Sequence, residues 1–179
     1  MDKHSMENLI DGCIKGKPKA RKELFHRYRK MLLGICLRYS RDKSEAEDIL
    51  LEGFVLIYSK IQSYSFEGSF EGWMKKIVVH TAIDYYRKNK KENAHDNIED
   101  HYDMASESVD AFKLLSAKDI LLLIQSMPSG YKMVFNLFAI EGYSHKEIAE
   151  KMKISVSTSK SQLRKARSWL IQKVSYNID

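Results

Sequence analysis

Apolar residues recur at three- and four-residue steps in a succession of segments, each closed by a polar break, and that spacing predicts amphipathic helices. Over 5–14 the inward positions are Met6, Leu9, Ile10 and Cys13. Gly16 and Pro18 break the pattern, with Pro18 placed near the start of the next helix. From 19 to 39, Leu24, Tyr28, Met31, Leu32, Ile35 and Tyr39 form one stripe. Ser44 followed three residues later by Glu47 reads as a capping box, opening a helix that runs to about Gln62. Its buried side is Ala46, Leu50, Phe54, Ile57 and Ile61. The loop SYSFEGS, 63–69, is expected to expose Tyr64 and Phe66. A helix from Phe70 to about Lys88 then buries Phe70, Met74, Ile77, Val78, Thr81 and Tyr85.

Periodicity fails over 89–110, where polar and acidic residues predict a flexible tether. It resumes over 111–126 with Phe112, Leu114, Leu115, Ile120, Leu121, Leu123 and Ile124, and Pro128 stops that helix. Tyr131, Val134, Phe135, Leu137, Phe138 and Ile140 mark the next one, ended by Gly142 as a C-cap. The stretch 143–170 then reads as two short helices around a tight break. Ser144 and Glu147 make a capping box, Ile148, Ala149 and Met152 point inward, and Lys153-Ile154-Ser155 interrupts. A second helix starts near Ser155 to Ser157 and buries Leu163, Ala166, Leu170 and Val174, with Lys160, Arg164, Lys165 and Arg167 off the stripe. The expected fold is all-α: two small helical domains, 1–91 and 111–179, joined by a flexible acidic linker at 92–110, with a helix-turn-helix in the second.

Charge sharpens this division. Of the 179 residues, 1–91 carry 19 basic and 12 acidic side chains, 92–110 carry seven acids and no Lys or Arg, and 111–179 carry 11 basic and five acidic. Two basic blocks around an acidic segment suggest two domains that face nucleic acid. Only two prolines and eight glycines favour long regular elements. Cys13 and Cys36 form no CxxC and have no paired histidines, so free, buried thiols in a reducing cytoplasm are expected rather than zinc. The N-terminus has no apolar signal-peptide core, and no apolar run is long enough to span a membrane.

Three surfaces carry candidate chemistry. A short helix, a tight turn and a basic helix that begins with small polar residues is the form of a DNA-reading helix-turn-helix. A helical hairpin with a solvated basic face is the plainer alternative, but the turn spacing, the caps and the Ser/Thr/Lys run agree on DNA. Glu45, Asp48 and Glu52 share the side of their helix opposite the buried stripe. That acidic face is an exposed surface, a docking face for a basic partner, or a carboxylate metal site, for which no histidine or further carboxylate completes the set. Trp73, Lys76, His80 and Arg87 lie along one edge of the fourth helix. An aromatic face beside cations suits single-stranded or distorted DNA, although core packing is the simpler reading of Trp73 alone. The outer face of the second helix is strongly basic as well, through Lys19, Arg21, Lys22, Arg27, Arg29 and Lys30.

Taken in order, Ala20…Glu23-Leu24…Tyr28, Ala46-Glu47-Asp48-Ile49…Glu52…Phe54, Phe70…Trp73-Met74…Ile77 and Ala82…Asp84…Arg87 fit one family pattern. Met127-Pro128…Tyr131…Val134-Phe135, the run Glu141 to Ala149, and Thr158…Lys160-Ser161…Leu163…Ala166-Arg167 continue it. The chain resembles an extracytoplasmic-function (ECF) sigma factor, the two-domain form of the sigma-70 superfamily, over nearly its whole length. The resemblance implies a protein that binds core RNA polymerase, at the beta-prime clamp and beta flap, and directs it to promoter DNA. It implies polymerase docking by Glu45, Asp48, Glu52 and Phe54, and recognition and opening of the minus-ten element by Phe66, Trp73, Lys76, His80 and Arg87. It implies reading of the minus-35 element by Thr158, Lys160, Ser161, Arg164 and Lys165, and an anti-sigma factor as a further partner.

Three positions depart from the family pattern. Leu51 stands where Gln is usual, His80 where Asn is usual, and Lys153 where the turn often has Gly. No P-loop, HExxH or nucleophile elbow is present, so no catalytic residue, cofactor or metal is expected. Rival readings are a helix-turn-helix regulator that never loads onto polymerase, and a nucleic-acid-processing enzyme with metal held by Glu45, Asp48 and Glu52.

Overall fold

The structure, a computed structural model, describes residues 3–92 and 116–175, and every regular element among them is helical. The order is α1 (Lys3–Ile14), α2 (Pro18–Tyr39), α3 (Lys43–Lys60), a 3-10 turn (Ile61–Ser63) and α4 (Phe70–Glu92), then α5 (Ala117–Ser126), α6 (Ser129–Phe135), a π-helical turn (Asn136–Ile140), α7 (His145–Met152) and α8 (Val156–Ser175). The tether expected at 92–110 lies, beyond Glu92, outside the described residues, as does the start of the helix expected from 111. The chain parts into two compact units between Ala82 and Ile83, within α4.

In the first unit the predicted stripes meet as a core. Leu9, Ile10 and Cys13 of α1, Leu24, Leu32 and Ile35 of α2, Ala46, Leu50 and Ile57 of α3, and Met74 and Val78 of α4 are all buried. Pro18 is the first residue of α2, where its missing N–H costs nothing, and Gly16 enters the turn at φ 69°. At Gly12 the α1 backbone comes so near α2 that a Cβ there would lie 2.8 Å from Ala20 Cβ. This approach excludes any larger residue at that point.

Two local expectations are corrected. The cap of α3 is Asp42, whose carboxylate accepts the Glu45 N–H at 2.9 Å, and not Ser44. A carboxylate is the stronger acceptor at the positive end of a helix dipole, so Asp42 starts the helix two residues early. Ser44 is left exposed, and Glu47 pairs with Lys43 at 3.6 Å instead of closing a box. Tyr64, expected to be exposed, is only 9% accessible. Its hydroxyl donates to the Gly68 carbonyl at 2.9 Å and its ring packs on Phe70, because the loop folds back over the start of α4.

In the second unit, Ser116 and Asp119 form a full capping box at α5, and Pro128 turns the chain into α6. Met127, Tyr131, Ala166, Trp169 and Leu170 make one buried cluster that seats α8 on the α5–α6 corner. Lys132 is buried as well, and its ammonium donates to the Gln125 carbonyl at 2.7 Å, near the negative end of the α5 dipole. The helix-turn-helix is as the sequence predicts. The Ser144–Glu147 capping box opens α7, and Ile148, Ala149 and Met152 are buried. Lys153 turns the chain at φ 55°, ψ 49°. Ser155 accepts the Thr158 N–H at 2.9 Å and starts α8, on which Leu163, Ala166, Leu170 and Val174 all face inward.

Candidate nucleic-acid and protein interfaces

The recognition helix α8 presents polar and cationic side chains opposite its buried stripe. Lys160 and Arg164 are exposed, while Thr158, Ser161 and Lys165 are half-buried. Ser155, Ser157 and Thr158 join their hydroxyls at 2.7 and 2.8 Å across the first turn. Lys165 leans over the Tyr131 ring, 5.9 Å from its centroid. A groove of about 320 Å³ runs beside these groups, lined by His145, Lys160, Leu163, Arg164, Arg167, Ser168 and Ile171. The His145 ring stacks on Phe138 with centroids 4.7 Å apart, and its Nδ1 lies 2.9 Å from the Oγ of the fully buried Ser159. Burial, then the nearby Lys160 and Arg167 charges, hold its pKa below the usual imidazole value. His145 is therefore a neutral strut between α7 and α8 at pH 7. Neither it nor Arg167 stood among the predicted site residues.

At the loop before α4, four aromatic rings gather. Phe70 stacks on Trp73 at 5.5 Å with 16° between planes, and Tyr64 sits 5.6 Å from Trp73 and 5.1 Å from Phe66. Phe66 is held at φ 59° and remains half exposed. A non-glycine residue rarely adopts that conformation, and here it turns an apolar ring toward solvent. Tyr64, Phe66 and Phe70 wall a cleft of about 280 Å³ together with Met6, Glu7, Ile10, Tyr28, Gly68, Ser69 and Glu71. Lys76 and His80 are exposed further along α4. Arg87 is half-buried and pairs with Asp84 at 3.0 Å.

On α3 the predicted acidic residues separate. Asp48 is exposed and Glu52 half-buried, but Glu45 turns back to the Arg41 backbone N–H and guanidinium, with its side chain only 11% accessible. Phe54 is 3% accessible and packs on Phe25 at 4.7 Å, so its ring belongs to the core and not to the outer surface. Exposed in their place are Leu51 and Val55, 55% and 65% accessible, on the same face as Asp48 and Glu52. The outer face of α3 thus joins an apolar pair to flanking acids. Among the described residues no three His, Cys, Asp or Glu side chains gather to hold a metal ion.

Proteins of known family are similar to this chain in sequence. The family model of Sigma-70 region 2 matches residues 24–92, and that of Sigma-70, region 4 matches residues 117–170. The ECF RNA polymerase sigma-E factor of Haemophilus influenzae is 27% identical, over 93% of this chain and 93% of its own. The sigma-E factor of Escherichia coli K12 is also 27% identical, over 93% of this chain and 92% of its own. The chain belongs to the ECF sigma factors of the sigma-70 family. A solved structure of the sigma factor RpoE with the anti-sigma factor NepR from Bartonella quintana covers 86% of this chain and 94% of its own at 18% identity, with a TM-score of 0.49. In this ECF sigma factor the region 2 match spans the α3 face and the aromatic cluster, and the region 4 match spans the helix-turn-helix. Leu51 and Val55 were legible in principle, as a four-residue apolar repeat on the side of α3 opposite its buried stripe.

Proposed function

We infer that this ECF sigma factor is a bacterial transcription initiation factor that binds core RNA polymerase and directs it to specific promoters. The observation that carries the reading is the order of the two family matches, region 2 then region 4, each bearing a surface such a factor needs. The region 2 domain, 1–91 with its docking helix α3, meets the polymerase clamp through Asp48 and Glu52, with Leu51 and Val55 supplying the apolar contact. Glu45 supports that face by tying the start of the helix back to Arg41, and Phe54 supports it from the core. Phe66 and Trp73 supply ring faces for unstacked bases of the minus-ten element, each worth about 1–3 kcal/mol per base. Lys76, His80 and Arg87 supply polar and cationic groups along the same helix.

The region 4 domain, 111–179, reads the minus-35 element as duplex. Lys160, Arg164 and Lys165 neutralise phosphates, which orients the helix without carrying sequence information. Thr158 and Ser161 lie where α8 would enter the major groove. Residues 92–110 tether the two domains. The protein works by binding in the cytoplasm and not by covalent chemistry, and an anti-sigma factor is its expected regulator. A helix-turn-helix regulator that never meets polymerase would have no use for the apolar and acidic face of α3.

Co-migration with core polymerase tests this. Wild type should co-migrate, and Leu51→Asp with Val55→Asp should weaken the complex at least about tenfold, as truncation of central interface side chains does. Both side chains are exposed, so the helical melt should not move. A wild type that fails to bind core, or a double variant that binds unchanged, would contradict the docking role.

A further inference from the structure

The outer face of α2 takes no part in polymerase docking or base reading, yet the helix carries seven Lys and Arg side chains against a single acid. With about 100° per residue, Lys19, Lys22, His26, Arg29 and Lys30 fall within an arc of roughly 100°, opposite the buried Leu24, Tyr28 and Leu32. All five are exposed. Some cations on other helices are matched: Lys15 pairs with Asp11 at 2.7 Å, Lys43 with Glu47 at 3.6 Å, and Lys151 lies over Tyr143 at 4.9 Å. On α2 the one acid in the stretch, Glu23, is bound to Arg27 at 2.6 Å. Among the described residues Lys19, Lys22 and Lys30 form no ion pair. A helix face that serves only solubility normally mixes both signs. This one holds like charges together at a cost in mutual repulsion, which an anionic partner would relieve.

We propose that this face of α2 is a second, sequence-independent contact for the DNA backbone, separate from the base-reading surfaces. The match is one of charge and length. From Lys19 to Lys30 the helix rises about 16 Å, close to five steps between successive phosphates along one strand at about 3.4 Å each. Contacts from such a row to phosphate oxygens contribute affinity and not sequence choice. The proposal rests on the sigma-factor reading for the presence of promoter DNA, and its test separates the two.

The test is promoter binding by the reconstituted holoenzyme over a range of KCl concentrations. Wild type is compared with a Lys19→Gln, Lys22→Gln, Arg29→Gln, Lys30→Gln variant and with a control carrying Lys19→Arg, Lys22→Arg and Lys30→Arg. The slope of log K against log salt should fall by about 0.9 for each phosphate that is no longer neutralised, so the Gln variant should give up roughly two to four units of slope. Affinity should drop by a similar factor on strong and weak promoters alike. Transcription start sites and affinity for core should not change, and the Arg control should keep the wild-type slope. An unchanged slope in the Gln variant overturns the proposal. So does a fall in core affinity at constant slope, which would assign the face to an acidic protein surface. Failure of wild type to direct any promoter-specific start would instead strike the sigma-factor reading itself.

Discussion

Lys153 carries a backbone cost that its side chain does nothing to reduce. At φ 55°, ψ 49° it occupies the left-handed region, which costs an L-residue with a Cβ about 1–2 kcal/mol. The turn needs that conformation because it lets the Lys153 and Ile154 N–H groups both return to the Ala149 carbonyl, the latter at 3.1 Å, before α8 begins. The side chain is exposed, so its removal sacrifices no packing. Lys153→Gly should therefore stabilise the region 4 domain by about 1 kcal/mol, read as a rise in denaturant midpoint at constant slope. A fall in midpoint would mean that the lysine makes a contact that offsets the strain. The residue scale is also where sequence reading was least secure. Ser44 and Asp42 both have the chemistry of a cap, and only the path of the chain selects between them. Tyr64 sits in a polar loop, and its burial depends on a fold-back onto Phe70 and Trp73 that no local pattern encodes.

At the scale of elements, the 3.6-residue period was enough to find the helices. The inward stripes of α2, α3, α4 and α8 are largely those read from spacing, because burial of one face is what sets the period. The π-helical turn at Asn136–Ile140 escaped, since its apolar positions Leu137, Phe138 and Ile140 fit an ordinary helix equally well. That turn carries Phe138, on which His145 stacks, so the link between α7 and α8 was hidden with it. The link is open to titration. His145 faces Lys160 and Arg167 from α8, with Arg164 beside the same groove, and its neighbours on α7 are Lys146 and Glu147. Its pKa lies below the ordinary imidazole value of 6.5, so the unfolded chain binds the proton more readily. Stability contributed by the neutral ring is present above about pH 6.5 and is lost as pH falls from there through the lower folded value. Nuclear magnetic resonance should show the His145 imidazole titrating below its free value, with Lys160→Gln and Arg167→Gln each moving it back up. An ordinary or raised value would contradict the packing of this cluster.

At the scale of the whole molecule, three unlike signals coincide along the sequence. Charge changes sign twice, periodicity fails once, and the two family patterns fall on either side of the gap, at 24–92 and 117–170. Less legible was the make-up of the α3 face. The sequence pointed to its acids and put Phe54 on the buried side, where it lies, whereas folding turns Glu45 back onto Arg41 and leaves Leu51 and Val55 outside. A one-dimensional reading identifies which residues share a face, but contacts at the start of the helix decide which of them remain available. The central claim concerns the intact chain acting with polymerase, and run-off transcription tests it most directly. Core RNA polymerase is assayed with and without the protein on a pool of promoter fragments from its own genome. The account predicts transcripts with defined starts only when the protein is present, and a shared pair of upstream sequence elements among them. Transcription that is the same with and without the protein, from a preparation that binds DNA, would contradict it.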